Sequence, residues 1–347
     1  MAATHPLRVG IVGAGANTRS RHIPGLQAIA GVEVVCVCNR TPASSRAVAE
    51  HFGIPRTAAG WPDLVVDPEV DAVVVGTWPY LHRAVTVAAL GAGKHVLCEA
   101  RMAMDLADAR KMLEAEQGHP ACVAQLVPSP FSLHVDATIR RLVDSGALGG
   151  LISVDVIDHH PGFPDIHTPM HWREDRALSG LNTMGLGIWY EALMRWVGGA
   201  DSLTAFGAVV VAQRVDAESG QKRKIDIPDW LTVTAHLRCG AIAHFSLRQA
   251  GGLVPRREAI LTGTDASLRF DGSALWLGRR GDDQLRPVEV PSEERAEWRV
   301  EAEFVDAIRG VAPVKRTTFA DGTRYMAFTQ AVEDSRRNGR AETVPEV

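Results

Sequence analysis

The sequence predicts a two-domain α/β protein, in which a doubly wound parallel sheet is followed by a domain built on a large, mainly antiparallel open sheet. Three observations predict this class. Apolar strand segments alternate with amphipathic helical segments up to about residue 127, which is typical of a parallel sheet. A glycine-rich turn joins the first strand directly to the first helix. Beyond that point strand-like runs follow one another with few helices between them, which favours antiparallel pairing.

The predicted elements divide the chain into residues 1–127 and residues 128–347. The first domain contains predicted strands at residues 8–12, 32–37, 72–76, 95–98 and 121–126. The second contains helices at residues 135–145 and 187–197 and strands at residues 151–157, 203–213, 231–237, 241–247 and 258–262, with short ones near 270 and 276. Two closing helices, near 292–309 and 323–337, either cover the second sheet or return to the first domain.

Composition excludes several classes of function. The 347 residues are 46% hydrophobic and 22% charged, with a formal net charge of −4, so we expect neither a nucleic-acid partner nor a membrane partner. The apolar stretches fall short of the roughly 18 residues that span a bilayer. The N-terminal residues lack the charged and apolar regions of a signal peptide, and the five cysteines are expected to be free. A cytoplasmic protein is therefore predicted.

The glycine turn carries the first functional signal. A short apolar strand ends in Gly-Ala-Gly and continues into a helix, which is the order that a dinucleotide-binding fold needs to bring backbone N–H groups and a helix N-terminus to a pyrophosphate. Thr18 stands where the usual third glycine would be. The alternative is an ordinary strand-to-helix turn that requires glycine. The residues predicted to hold the pyrophosphate are Gly13, Gly15, Ala16, Asn17 and Thr18.

The end of the second strand indicates which nicotinamide cofactor is preferred. An acidic residue about 20 positions beyond the glycine turn usually binds the ribose 2′-hydroxyl of NAD, and none is present here. Asn39 can bond a hydroxyl, whereas Arg40 can pair with a 2′-phosphate. NADP is therefore favoured and NAD remains possible. The alternative for Arg40 is a solvated turn residue.

Several motifs along the chain resemble those of one family, the glucose/fructose oxidoreductase, inositol dehydrogenase and rhizopine-catabolism (Gfo/Idh/MocA) family. They are the Gly-Ile-Val-Gly-Ala-Gly run at residues 10–15, the Ala-Gly-Lys-His-Val-Leu-Cys-Glu run at 92–99, a Trp-Arg pair before Gly180, and the closing helix at 331–339. The resemblance implies an N-terminal Rossmann domain, bound NAD(H) or NADP(H), and a homodimer or homotetramer formed through the C-terminal sheet. It places further cofactor contacts at Thr77, Trp78, His82, Glu99, Trp172 and Arg173.

The catalytic positions of the family are replaced in this chain. Where family dehydrogenases carry Glu-Lys-Pro, this sequence has Glu99 followed by Ala100, and alanine cannot transfer a proton. The family pattern Asp-x-Gly-x-His aligns on Gly185 to Trp189, so both of its polar residues are lost. Because an alcohol dehydrogenation needs a group that takes the hydroxyl proton, another residue must supply it.

Candidate replacements lie in the histidine-rich stretch at residues 158–173. His160 is the predicted acid–base group, with Tyr190 as a second candidate and Arg101 as a clamp for an anionic group. The alternatives are loop histidines bonded to backbone or water, a core tyrosine, and an Arg101 paired with a neighbouring acid. The predicted substrate contacts are His159, His167, Trp189 and Gln125. No metal site is expected, since the histidine spacing matches no ligand pattern.

These observations predict an NAD(P)-dependent oxidoreductase with a non-standard acid–base residue. It would act on a small cyclic or carbohydrate-like hydroxyl or carbonyl compound. Two alternatives stay open: a redox-neutral lyase or glycosidase that uses a tightly bound nicotinamide cofactor, and a non-catalytic dinucleotide-binding protein. Turnover with a net change in the oxidation state of the cofactor distinguishes the oxidoreductase from the redox-neutral enzyme, and a non-catalytic protein shows no turnover.

Overall fold

The computed structural model describes residues 5–347 and divides the chain into two compact units. Unit 1 comprises residues up to Pro128 together with Arg299–Thr323, and unit 2 comprises Ser129–Trp298 together with Arg324–Val347. Of the two closing helices that the sequence left unassigned, the first therefore belongs to unit 1 and most of the second belongs to unit 2.

Unit 1 is built on six parallel strands in the order β3-β2-β1-β4-β5-β6. The strands are β1 (Leu7–Val12), β2 (Val32–Cys38), β3 (Arg56–Thr57), β4 (Ala72–Val75), β5 (His95–Cys98) and β6 (Ala124–Leu126). The helices are α1 (Ile23–Gln27), α2 (Pro42–Phe52), α3 (Trp61–Val66), α4 (Pro79–Gly91) and α5 (Leu106–Gly118), and a π-helical turn at Thr18–His22 precedes α1. The order reverses between β1 and β4, so the carboxyl ends of these two strands open a crevice there.

The central strands of unit 1 are buried on both faces. All four residues of β4 are buried, and so are the last four of β1, which agrees with the continuous apolar runs that mark a covered parallel strand. Two helices begin at clear caps: the Thr41 side chain accepts from the Ser44 N–H, and that of Asp105 accepts from the Asp108 N–H. The short β3 is polar and exposed at the sheet edge, and for that reason hydrophobic pattern did not predict it.

Unit 2 contains a nine-stranded sheet in the order β16-β15-β14-β13-β7-β12-β11-β8-β17, in which only the β7–β12 pair is parallel among the described residues. Its helices are α6 (Asp136–Asp144), α7 (Arg176–Ser179) and α8 (Leu186–Val197). The strands are β7 (Leu151–His159), β8 (Ala200–Ala208), β9 (Gln213–Val215), β10 (Lys222–Lys224), β11 (Trp230–Leu237), β12 (Ile242–Arg248), β13 (Arg256–Gly263), β14 (Ala266–Phe270), β15 (Leu275–Arg279), β16 (Arg286–Val288) and β17 (Glu342–Thr343). A separate two-stranded ribbon joins β9 to β10. Two more helices complete the chain: α9 (Val300–Ile308) and α10 (Phe319–Asn338).

The two faces of the nine-stranded sheet differ. On one face alternate residues of β7 are buried, and Tyr190 of α8 packs its ring 6.4 Å from that of Phe245 on β12. On the other face one row across the sheet contains Phe206, Thr232, Ser246 and Ile157, and Phe206 is 65% exposed. The fold class predicted from sequence, a parallel sheet followed by a mainly antiparallel open sheet, is confirmed.

The described part of the chain contains no helix with the length and apolarity that a bilayer crossing requires. All five cysteines are free, three of them buried, one half-buried and one exposed.

Candidate functional site

In the glycine turn of unit 1, the backbone at Gly13 lies close to the backbone at Thr77. Gly13 has φ +86, and its N–H donates to the Cys38 carbonyl oxygen over 2.8 Å. A Cβ at Gly13 would lie 2.6 Å from Cγ2 and 2.8 Å from the backbone nitrogen of Thr77. Glycine is therefore required here both for the left-handed conformation and for the space. Gly15, by contrast, is exposed, and a Cβ there would meet only the Gly76 carbonyl oxygen, at 3.6 Å.

A second turn, after β4, lies against the first. A Cβ at Gly76 would overlap the Gly13 carbonyl oxygen and the Thr18 hydroxyl, so the two glycines permit the turns to touch. The Thr77 hydroxyl oxygen is buried and has no hydrogen-bond partner among residues 5–347. A buried hydroxyl without a partner costs free energy unless a ligand satisfies it. The cradle and this hydroxyl together fit a dinucleotide cofactor.

A cavity of about 390 Å³ opens at these turns. It brings together six of the residues predicted to bind the cofactor, namely Gly13, Gly15, Asn39, Arg40, Thr77 and Trp78. The helical segment that starts at residue 16 follows directly, so the N–H groups of Ala16 and Asn17 belong to its first turn and have no intrahelical acceptor. These groups would hold the pyrophosphate, and the cavity would hold the adenosine half.

Asn39 has a different role from the predicted one. Its Oδ1 accepts from the Ala14 N–H over 2.7 Å, and its Nδ2 donates to the Ser44 hydroxyl over 2.9 Å. The side chain therefore holds the glycine turn in place, and its oxygen is not presented to a ribose hydroxyl. The neighbouring Arg40 is exposed and lines the cavity.

A buried ionic network that sequence analysis missed lies behind the turn. His22 is fully buried, with Nδ1 2.5 Å from Glu301 Oε1 and Nε2 2.9 Å from Glu99 Oε1. Burial lowers the pKa of His22, but hydrogen bonds to Glu301 and then to Glu99 prevail and raise it to about 9. An imidazolium flanked by two carboxylates results. No local motif indicated it, because Glu301 follows His22 by 279 residues.

The predicted cofactor contact Glu99 belongs to this network. Its carboxylate accepts from His22, from the amide of Asn17 and from the Ala100 N–H. Burial raises the pKa of Glu99, yet these donors outweigh it and lower the pKa overall. Since the side-chain nitrogen of Asn17 is engaged by Glu99, the backbone N–H of Asn17 is the donor that we expect to reach a cofactor.

Two other predicted contacts support the backbone instead. His82 is fully buried, with Nε2 2.9 Å from the Thr77 carbonyl oxygen and Nδ1 3.1 Å from those of Arg101 and Met102. The His82 side chain therefore joins the turn after β4 to the segment after β5. This structural role corrects the prediction that His82 contacts the cofactor. Thr18 is buried as well, and its hydroxyl donates to the Gly13 carbonyl oxygen over 3.3 Å.

Arg101 and Gln125 are both buried in unit 1, with exposures of 6% and 2%. The Gln125 amide donates to the Val300 carbonyl oxygen over 3.2 Å and so joins β6 to the start of α9. Its Oε1 is buried and has no hydrogen-bond partner among residues 5–347, so the predicted substrate contact of Gln125 stays a prediction. Arg101 stays a candidate for anion binding.

In unit 2 a second group of polar side chains surrounds Asp158, at the end of β7. Its Oδ2 accepts from the indole N–H of Trp189 over 2.9 Å, and its Oδ1 lies 3.7 Å from His160 Nε2 and 3.8 Å from Arg257 Nε. Burial raises the pKa of Asp158, but the nearby His160 imidazole, the hydrogen bond from the Trp189 indole and the charge of Arg257 lower it overall. A cavity of about 330 Å³ is lined by Asp158, His160 and Arg257 together with His159, Pro161, Pro255 and Arg256.

Trp189, one of the predicted substrate contacts, lies in the core of unit 2. Its side chain is fully buried, its indole N–H is bonded to Asp158, and its ring lies 4.9 Å from that of Phe131. It therefore presents no open face to a substrate within unit 2.

Tyr190 lies in the core of unit 2. Its hydroxyl accepts from the Ala200 N–H over 2.8 Å, and its ring stacks on Phe328 with centroids 3.7 Å apart. Burial raises its pKa to about 12. A buried phenol that is harder to ionise cannot serve as a proton acceptor near neutral pH, so we withdraw the predicted catalytic role.

The remaining predicted residues of unit 2 have other contacts, although His159 borders the same cavity as Asp158. His159 points to the opposite sheet face, where its Nε2 lies 2.9 Å from the Ser246 hydroxyl. His167 is exposed, and its backbone N–H donates to Asp165. Trp172 begins a 3-10 turn, and the Arg173 guanidinium stacks 4.2 Å over its ring. No group of three or more metal-ligating side chains was found within residues 5–347.

Comparisons with known proteins agree with the fold. Residues 7–126 match the Gfo/Idh/MocA family described as an oxidoreductase family with an NAD-binding Rossmann fold, and residues 137–269 match the GFO/IDH/MocA C-terminal domain. Among solved structures, levoglucosan dehydrogenase in complex with NADH and L-sorbose superposes with a TM-score of 0.86 at 20% identity, covering 99% of this chain and 100% of the other. The predicted dinucleotide-binding fold is thereby confirmed.

Two curated relatives share sequence over long stretches. The 1,5-anhydro-D-fructose reductase of Ensifer adhaerens is 44% identical over 179 residues, which is 50% of this chain and 50% of that protein. The chain thus spans about half the length of this relative. An inositol 2-dehydrogenase of Acidothermus cellulolyticus is 25% identical over 347 residues, covering 98% and 96% of the two chains. With both domain profiles matched in order and the glycine cradle in place, the chain belongs to the Gfo/Idh/MocA family of oxidoreductases.

Proposed function

We propose that this protein is an NADP(H)-dependent oxidoreductase that interconverts a hydroxyl and a carbonyl group on a small cyclic or carbohydrate-like compound. The observation that carries the proposal is the pair of touching glycine turns beside an unpartnered Thr77 hydroxyl. Such a cradle admits a pyrophosphate and leaves one buried donor for the rest of the cofactor. When bound, the nicotinamide supplies the hydride acceptor or donor.

The substrate class is proposed from the relatives. Anhydrofructose reductase and inositol 2-dehydrogenase are both named for ring compounds that carry several hydroxyl groups, and so is levoglucosan dehydrogenase. Side chains that hydrogen-bond hydroxyl groups suit such compounds, and His160 beside the small cavity of unit 2 is one of them. Arg101 would add a contact to an anionic group.

The cofactor preference is proposed from the end of β2. No acidic side chain stands there to bind a ribose 2′-hydroxyl, and the oxygen of Asn39 is occupied by the Ala14 N–H. Arg40 is exposed and lines the cavity. A guanidinium in this place binds a 2′-phosphate through charge-assisted hydrogen bonds, and NADP(H) is therefore preferred over NAD(H).

A binding titration tests this preference. Wild-type protein, Arg40→Ala and the control Arg46→Ala, which removes an exposed arginine of α2 outside the cavity, would be titrated with NADPH and NADH and followed by nicotinamide fluorescence. We expect Arg40→Ala to weaken NADPH about tenfold or more and to leave NADH unchanged, since one charge-assisted bond contributes roughly 1.5–3 kcal/mol. Unchanged NADPH affinity would contradict the assignment of Arg40.

Turnover tests the reaction. A panel of cyclic polyols, anhydro sugars and sugar acids would be screened in both directions by the near-ultraviolet absorbance of reduced nicotinamide. Substrate conversion without net change in the cofactor would indicate a redox-neutral lyase or glycosidase instead. Tight NADPH binding with no conversion of any compound would indicate a non-catalytic dinucleotide-binding protein.

A further inference from the structure

The start of α8 shows what occupies the place of the lost family aspartate. A Cβ at Gly185 would lie 3.0 Å from Asp158 Oδ2 and 3.3 Å from Trp189 Cδ1. A larger side chain at position 185 would therefore collide with the Asp158 carboxylate. Asp158 lies on β7, whereas position 185 lies at the start of α8. The Asp158 carboxylate is therefore beside the position at which the family pattern has an aspartate.

Asp158 is held firmly in this place. It is 6% exposed, its Oδ2 is bonded to the Trp189 indole N–H, and its Oδ1 faces His160 and Arg257. Trp189 in turn packs against Phe131, and the Arg257 guanidinium lies 4.3 Å above the Phe131 ring. A carboxylate fixed on one oxygen by a buried indole leaves the other oxygen to orient a cation.

His160 is the group that this second oxygen reaches. Its backbone is fixed on both sides, because its N–H donates to Arg248 O over 3.0 Å and its carbonyl oxygen accepts from the Gly251 N–H over 2.6 Å. Its side chain is 47% exposed, with Nε2 toward Asp158, and it borders the cavity of about 330 Å³. The Nδ1 atom is therefore the one available to a bound molecule.

We propose that Asp158 and His160 form the acid–base dyad of this chain, in place of the family residues lost at positions 100, 185 and 189. His160 is the catalytic residue that meets the substrate hydroxyl, and Asp158 is its positioning residue. This inference rests on the proposed function and names the proton-transfer group of that reaction.

The proton and electron balance is that of an alcohol oxidation. The substrate O–H bond would break and its proton would pass to Nδ1 of His160. An oxidised nicotinamide, when bound, would accept the carbon-bound hydrogen together with its electron pair, so the step balances. The carbon–oxygen bond becomes a carbonyl. Asp158 stabilises the imidazolium that forms, as the carboxylate does in other His–carboxylate pairs.

Two charged groups face His160, and they act in opposite directions. The Asp158 carboxylate, 3.7 Å from His160 Nε2, raises the pKa of His160, whereas burial and the positive charge of Arg257 lower it; the net effect is a raised pKa. Asp158→Asn keeps an acceptor for the Trp189 indole and removes the negative charge. The variant should therefore fold and should titrate at lower pH.

An NMR titration of the His160 ring proton in the full chain tests the pairing directly. The variants are Asp158→Asn and the matched control Asp155→Asn, which makes the same change three residues earlier on the opposite face of β7. We expect Asp158→Asn to lower the His160 pKa by about half a unit to one unit, as a half-exposed ion pair allows, and Asp155→Asn to leave it unchanged. An unchanged pKa in Asp158→Asn would overturn the pairing.

Kinetics test the catalytic role. We expect His160→Gln to lower kcat about 100-fold or more, with partial rescue by added imidazole, and Asp158→Asn to move the acidic limb of the kcat/KM profile toward lower pH. Wild-type turnover that survives in His160→Gln would refute the dyad while leaving the proposed function intact. Absence of turnover in the wild type itself would instead refute the proposed function and, with it, the role of His160 in catalysis.

Discussion

Replacing Glu301 by glutamine removes one of the two carboxylates that flank the buried His22 imidazole. Glutamine keeps an oxygen that can accept from His22 Nδ1, so the variant changes charge with little change in shape. The wild-type pKa of His22 is raised from 6.5 to about 9. By linkage, that rise corresponds to about 3 kcal/mol of unfolding free energy when His22 is fully protonated.

The pH range of this contribution follows from its sign. Because the folded pKa of His22 is raised, its stabilisation is fully present below the unfolded pKa of 6.5 and is lost as the pH rises through about 9. Glu99 acts in the opposite sense: its pKa is lowered, so its stabilisation is present above the unfolded value and is lost as the pH falls. The network should therefore stabilise unit 1 most in mildly acidic to neutral solution.

Glu301→Gln should remove roughly half of the His22 contribution, since Glu99 remains. We expect a loss of about 1–2 kcal/mol near pH 6, equivalent to a Tm drop of roughly 3–6 °C for a unit of this size. Near pH 9.5 the difference should nearly vanish, because His22 is neutral in both proteins. Calorimetry at the two pH values, with the exposed Glu33→Gln as control, measures it. An equal Tm difference at both values, or a His22 that titrates near its unfolded pKa, would refute the buried imidazolium.

Two further predictions concern the cradle and the open sheet. Gly13→Ala should lower the unfolding free energy by at least about 1–2 kcal/mol, because alanine meets Thr77 and must adopt a positive φ. Gly15→Ala meets only one atom, at 3.6 Å, and should keep the Tm while weakening NADPH about tenfold or more; equal effects of the two changes on stability, by calorimetry, would contradict this reading of the turn. We also propose, as the family resemblance implies, that the open face of the nine-stranded sheet forms a homodimer or homotetramer. Phe206→Asp on that face should then shift the mass measured by light scattering toward the monomer, and a monomeric wild type would rule the assembly out.

Much of the fold is readable from local pattern. The strand at residues 95–98 has the predicted bounds, and most other predicted elements differ by one to three residues. The prediction of a strand at residues 203–213 was wrong at both ends, because β8 spans Ala200–Ala208. The helix predicted to start near residue 292 begins only at Val300, after a polar loop. The spacing of apolar residues indicates which face of a helix or strand is buried. It does not define the residue at which the element begins or ends.

The residues of the candidate site could be predicted only in part from local sequence pattern. The glycine turn was recognisable because its chemistry depends on adjacent residues, whereas the role of Arg40 stays a prediction. The sequence pattern located Asn39, His82 and Trp189 relative to the predicted turns and helices. It did not identify their hydrogen-bond partners, which are backbone groups and side chains elsewhere in the chain. Residue type and spacing do not specify such partners, so the predicted ligand contacts became structural ones.

The sequence by itself determined the alternation of strands and helices and the turn that requires glycine. The tertiary structure alone decided which side chains meet. His22 contacts Glu301 279 residues away, and Asp158 contacts Trp189 31 residues away. The physical reason is that backbone conformation and burial period are local properties of a chain, whereas the pairing of buried charges depends on which distant segments pack together and exclude water.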